Sequence, residues 1–201
     1  MEQATTRERL IGATERLLRE GGLSAVTTQS VAQRAGLAEG TIYRHFDCRD
    51  ALVACTIGER LPAEFDALID ELSSHVGTGD LEANLRDFIS AALPFFAVIA
   101  PFVGMLSANR EVAARNGALM REKGKGPRRS AERLQGYFRE EQRLGRIASG
   151  VDVRAAAAML VGVCFHHSLI AHVFGTDPLG LTEAELPGVV AATLVRGLAP
   201  R

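Results

Sequence analysis

The sequence predicts an all-α protein, with an N-terminal three-helix helix-turn-helix domain followed by a larger helical domain. Three observations lead there. Apolar residues recur at spacings of three and four, the period of amphipathic helices, and no long alternating β pattern appears. Ala and Leu dominate while Trp is absent. Between Thr27 and Phe46, two short helical patterns are joined by Gly36, the arrangement of a helix-turn-helix.

Taken in order, a first helix is expected from about Arg7 to Arg19. Thr5 and Glu8 form a T-x-x-E capping box, Leu10, Ile11, Thr14, Leu17 and Leu18 line one face, and Gly21-Gly22 ends it. Thr27 caps a short helix running to Ala35. Gly36 supplies a turn with positive φ, and a third short helix covers Glu39 to His45. Asp47 and Asp50 open a long helix whose positions Leu61, Phe65, Leu68 and Leu72 keep the helical rhythm. Pro62 lies inside it and should kink it, because proline lacks a backbone donor and crowds the preceding turn. Further helices are expected near 80–100, 102–122, 128–144, 152–174 and 182–197. The separators are Pro101, the Gly124-Lys125-Gly126-Pro127 loop, Gly150 and the stretch Gly175–Gly180.

Composition narrows the class. A chain of 201 residues can bury about 70% of its extended surface, so neither metals nor disulfides are needed to hold it. With 47% hydrophobic and 23% charged residues it is not intrinsically disordered. Three cysteines without paired spacing do not make a secreted disulfide scaffold. The start MEQATTRERL lacks the apolar core of a signal peptide, so a cytoplasmic location is expected. Two apolar stretches, Phe88 to Leu106 and Ala155 to Phe174, are long enough to test as membrane spans. Pro94 and Pro101 in the first, and His166, His167 and His172 in the second, favour buried helices of a soluble bundle, and no membrane partner is expected.

Net charge is −1, which by itself points to no polyanion. Residues 1–50 balance seven Arg against seven acids, residues 51–109 carry −6, and residues 110–146 carry +6. The basic segment lacks interleaved aromatics, and it reads as a solvated helix pair and loop placed against the acidic segment.

The stretch TTQSVAQRAGLAEGTIYRHF, Thr27 to Phe46, holds the most information. Ala32 is small enough for the second helix to approach the first, and Val31, Ala35, Leu37 and Ile42 hold the pair. The exposed side of the later helix then reads Glu39, Gly40, Thr41, Tyr43, Arg44 and His45, short donors and an aromatic hydroxyl suited to phosphates and base edges.

Here the chain resembles the tetracycline-repressor (TetR) family of bacterial one-component regulators. The resemblance covers about residues 7–55: Gly22-Leu23, Thr27-Thr28, Val31-Ala32, Ala35-Gly36, Gly40-Thr41-Ile42-Tyr43, His45-Phe46, then Arg49 and Leu52. It implies a DNA-binding domain over residues 1–47 and a helical ligand-binding and dimerisation domain over 48–201. The implied protein is a homodimeric repressor released from a palindromic operator by a small, apolar effector. By position, Thr27, Thr28, Tyr43, His45 and Arg49 would contact phosphates, and Gln29, Glu39, Gly40 and Thr41 would face base edges, with Arg44 beside them. Ala38 stands where the family often has a capping residue, and Cys48 where a small polar residue is common. Glu39 is open to two roles, accepting from cytosine or complementing the positive helix N-terminus.

The large apolar residues Phe95, Phe96, Phe102, Met105, Met159 and Phe165 read as core, some of them lining an effector cavity, with Asn109, His166 and His167 as its polar groups. Cys164 with His166 and His167 lacks a second cluster to complete a metal site, and Cys48 and Cys55 on one rigid helix are too far apart to bridge. No metal or cofactor is therefore expected. Nor does a nucleophile triad, phosphate loop or carboxylate pair appear, so no enzyme activity is expected. A homodimer is expected to pair the helices near 128–144 and 152–174 into a four-helix bundle. Two other readings stay open: a helical binding or structural protein without DNA, and a helical enzyme.

Overall fold

The computed structural model describes residues 5–176 and 180–199, and every regular element among them is helical. Residues 177–179 of the last expected separator, and Met1–Ala4 of the chain start, lie outside the described residues.

Helix α1 (Thr6–Ala25) opens on the expected capping box: Thr5 Oγ1 accepts from the Glu8 N–H at 3.3 Å, and Glu8 Oε2 accepts from the Thr5 N–H at 2.7 Å. Its helical geometry stops at Gly21 and Gly22, where φ reaches 65° at the second. In α2 (Thr28–Ala35) a second reciprocal cap forms between Thr27 and Ser30, and Gly36 closes it in the left-handed region at φ 64°. The N–H of Leu37 returns to the Ala32 carbonyl at 2.9 Å, which completes the tight turn.

The third expected helix is a 3₁₀ helix, η1 (Glu39–Arg44), ending one residue early. Six residues capped by Ala38, which offers no side-chain acceptor, tighten into i→i+3 bonds such as Thr41 N–H to Ala38 O at 2.9 Å.

Helix α3 (Arg49–Ser74) runs through Pro62, and α4 (Leu81–Ala108) runs through both Pro94 and Pro101. Pro101 was expected to separate two helices and does not. A proline forfeits one donor and crowds one turn, and the flanking Phe96 and Phe102 are buried deeply enough to hold the helix across it. The break comes at Asn109, whose side chain accepts from the Val112 N–H at 3.2 Å and starts α5 (Arg110–Glu122). Then follow α6 (Pro127–Arg143), α7 (Val153–Phe174) and α8 (Leu186–Leu198).

The chain forms two compact units. One comprises the chain up to Pro62 with Pro101–Gly124, the other Ala63–Ala100 with Lys125–Arg201. Helices α3 and α4 each pass from one to the other, at Pro62 and at Pro101.

The core of the first unit gathers Leu10, Ile11, Val31, Ile42, Leu52 and Ile57. Across its surface Arg7 reaches Glu59 at 2.7 Å and the Cys55 sulfur at 2.8 Å, and Lys123 reaches the same carboxylate at 3.4 Å. Arg115 is paired with Asp47 and Glu111. In the second unit, Phe65, Phe88, Phe95, Phe96 and Phe165 form an aromatic cluster, with the Phe65 and Phe95 rings stacked at 4.7 Å. Nearby, fully buried Glu141 accepts from the Gly77 N–H at 3.2 Å and pairs with Arg146 at 3.2 Å. Arg146 also donates to the carbonyls of Thr78 and Gly79, so a buried charge fixes the α3–α4 connection.

Candidate nucleic-acid interface

The helix-turn-helix is held rigid from behind. Val31, Ala32, Ala35, Ile42 and Phe46 are buried, and Arg9 on α1 donates to the Ala35 carbonyl at 2.7 Å, just where α2 turns at Gly36. Burial of Ile42 and Phe46 leaves Glu39, Gly40, Tyr43, Arg44 and His45 exposed and Thr41 half-buried. On α2, Thr27 and Gln29 are exposed and Thr28 is half-buried. The hydroxyl of Thr28 donates to the Glu39 carboxylate. The starts of α2 and η1 therefore lie side by side, which brings the positions named for phosphate and for base contact into one surface.

Tyr43 is 58% exposed, so its ring and hydroxyl face outward on this surface. Gly40 is more telling. Its φ is not positive, and a methyl group placed there would meet nothing within 4 Å. Neither conformation nor packing requires glycine in this helix, where it costs about 1 kcal/mol relative to alanine. What it leaves is bare backbone on an exposed surface.

Two cations in and beside the helix-turn-helix are engaged within the protein. Arg34 makes a two-pronged pair with Glu20 at 2.6 and 2.7 Å. Arg49, expected on a phosphate, donates to the carbonyls of Val26 at 2.5 Å and Leu23 at 2.6 Å, satisfying the end of α1. Arg44 stays exposed on η1. Neither the Arg49 contacts nor the Thr28–Glu39 bond has a local spacing signal, since each joins residues far apart in the sequence.

The residues expected around an effector fall into three places. Phe95, Phe96 and Phe165 meet in the aromatic cluster of the second unit, where His167 is buried and His166 exposed on α7. Phe102, Met105 and Asn109 belong to the first unit, and Asn109 is the cap of α5. Met159 points elsewhere. It is 64% exposed on α7 and lines an apolar groove of about 770 Å³ between α7 and α8, with Val163, Val189, Val190 and Leu194. Among the described residues no three His, Cys, Asp or Glu side chains gather where they could hold a metal ion.

A helix-turn-helix with an exposed polar recognition helix, joined to a larger helical body, defines a class of DNA-binding regulator. Residues 10–54 match the family described as bacterial regulatory proteins, tetR family. The HTH-type transcriptional repressor KstR of Mycolicibacterium smegmatis is 37% identical over 67 residues, 32% of this chain and 33% of that protein. KstR of Mycobacterium tuberculosis is 35% identical over 68 residues, 34% of this chain and 30% of that protein. The match thus spans about a third of the length of these curated relatives. Solved structures extend the likeness to the whole fold. A putative TetR-family transcriptional regulator from Mesorhizobium loti has a TM-score of 0.67 at 18% identity, covering 96% of this chain and 94% of that one. The fatty acid degradation regulator FadR from Bacillus halodurans has a TM-score of 0.64 at 17% identity, covering all of both chains. FadR from Bacillus subtilis, solved in complex with stearoyl-CoA, has a TM-score of 0.61 at 19% identity, covering 94% of this chain and 98% of that one. Residues 10–54 are thus similar to the tetR family's regulatory proteins, and the fold as a whole is that of these solved structures.

Proposed function

We propose that the chain is a cytoplasmic, homodimeric transcriptional repressor that binds a palindromic operator and is released from it by a small, apolar molecule. The DNA-binding domain is residues 1–47, and residues 48–201 bind the effector and dimerise. The observation that carries this reading is the exposed surface around Gly40, a glycine that the fold itself does not need. Thr27, Tyr43, Arg44 and His45 are placed for phosphates, Thr28 offers them its backbone N–H because its hydroxyl proton is spent on Glu39, and Gln29, Glu39, Gly40 and Thr41 are placed for base edges. Arg49 acts one step back, holding the end of α1 on which α2 is built.

The face we propose for the dimer replaces α6 with α8. The apolar side of α6 is buried within its own unit, at Leu134, Tyr137 and Phe138. Exposed apolar side chains lie instead on α7 and α8: Met159, Val173, Phe174 and Val189. Helices α4 and α7 are both long and apolar enough to cross a membrane by composition alone, and only 28% of the α7 window is buried. Such an apolar expanse on a helix of this body calls for a protein partner, and a second copy of the same α7–α8 face supplies one with the two-fold symmetry a palindrome requires. Within the second unit, the effector would contact Phe95, Phe96, Phe165, His166 and His167, leaving Met159 to the dimer. The stearoyl-CoA bound by the Bacillus subtilis neighbour supports an effector that carries a long apolar chain.

The test is direct. The purified chain is titrated by fluorescence anisotropy with the DNA upstream of its own gene and with a scrambled control, at several salt concentrations. Salt-sensitive binding that discriminates between the two supports the reading, and equal affinity for both overturns it.

A further inference from the structure

We propose that Glu39, clamped by Thr28, requires a cytosine at one position of each operator half-site. The inference rests on the DNA-binding reading above and deepens it.

Glu39 is the first residue of η1, exposed, and preceded by Ala38, which supplies no cap. A glutamate there could fold back on the free N–H groups of the helix start. It does not do so. Its Oε1 accepts instead from the hydroxyl of Thr28, at the start of α2, a contact that bridges the two helices of the motif. That bond fixes the side chain's direction with one oxygen and leaves the second oxygen's lone pairs unspent. Gly40 follows with no side chain to hold a partner away, so the backbone beside the carboxylate can come close to a groove floor.

An ionised carboxylate only accepts hydrogen bonds. In the major groove the available base donors are cytosine N4 and adenine N6. Guanine presents acceptors at N7 and O6, thymine one at O4, and adenine sets its acceptor N7 directly beside N6. A fixed carboxylate is therefore repelled by guanine and thymine, meets at adenine a donor flanked by an acceptor, and is matched best by cytosine. Because phosphates also repel it, Glu39 contributes discrimination by exclusion rather than affinity. That role suits a recognition surface whose neighbouring Arg34 is already neutralised by Glu20.

The experiment is selection of binding sites from randomised duplex DNA by the full-length protein and two variants. The wild type should select a cytosine at one symmetric position per half-site, preferred by about 5- to 150-fold, the range of one good base contact. Glu39→Gln should move that position to adenine, which glutamine pairs in two-pronged fashion, with the other positions unchanged. Thr28→Val should keep cytosine but narrow its margin several-fold, with an unchanged melting temperature. A Glu39→Gln variant that selects the wild-type sequence at every position overturns the proposal and leaves Glu39 a helix-end charge. A wild-type protein that selects no sequence at all overturns the DNA-binding reading itself, so the two failures are told apart.

Discussion

At the scale of single residues, Gly40 and Arg49 separate what the fold needs from what binding needs. Alanine fits at position 40 without a clash, so Gly40→Ala should leave the melting temperature unchanged or raise it, by up to about 1 kcal/mol of stability. The same methyl group should weaken operator binding tenfold or more by holding the backbone off the groove, read in parallel calorimetric and anisotropy titrations. Arg49→Met should behave in the opposite sense. It strips donors from the carbonyls of Leu23 and Val26 and should cost about 1–3 kcal/mol of stability in urea unfolding. An Arg49 that served only phosphates would leave the unfolding curve where it was. Tyr43→Phe should lower affinity for all sequences alike, whereas Gln29→Ala should cost about 1–3 kcal/mol at a single base pair.

At the scale of elements, Glu59 joins three helices at one carboxylate, taking Arg7 from α1 and Lys123 from the end of α5. The Arg7 guanidinium holds the Glu59 carboxyl down at about 2, below the usual glutamate range. A carboxyl depressed in the folded state stabilises fully above its unfolded value and loses that contribution as pH falls toward the folded one. The stability conferred by this junction should therefore decline between roughly pH 4.5 and pH 2. Glu59→Gln should flatten the acid limb of a pH–stability profile over that interval while leaving its neutral limb parallel to wild type. Elements were read from the sequence best where capping and periodicity are local. Thr5 with Glu8, Gly21-Gly22 and Gly36 act within a few residues, and their helix ends fall where expected. Pro101 misled because its local penalty is outweighed by the burial of Phe96 and Phe102 on either side. The capping of α5 by Asn109 was not legible for a related reason: nothing in its neighbours announces that α4 continues to it. Of the recognition surface, the residues were legible from the Gly-Thr-Ile-Tyr pattern, while their mutual bonds were not. Thr28 to Glu39 and Arg49 to Leu23 span loops whose geometry only the folded chain defines.

At the scale of the whole molecule, assembly and release are linked in the proposed repressor. Met159→Glu would place a charge in the middle of the α7–α8 apolar face, and sedimentation velocity should show a monomer at micromolar concentration where the wild type is a dimer. Operator affinity should fall with it, because two half-sites about 34–36 Å apart must be engaged together. An effector that releases the dimer must bind the DNA-free form more tightly, and by reciprocity operator DNA must weaken effector binding by the same factor. Calorimetry with and without operator should show that factor, and equal affinities would mean the pocket does not control DNA. The make-up of the first unit has a consequence for anyone recombining such proteins. Its chain is discontinuous, since Pro101–Gly124 packs with the N-terminal helices and supplies Phe102 and Val112 to the same unit's core and Arg115 to Asp47. A chimera grafting only the first 62 residues onto another body would carry the reading head without its brace. Transplanting recognition intact takes two separate segments, cut at the prolines of α3 and α4 where the chain itself changes units.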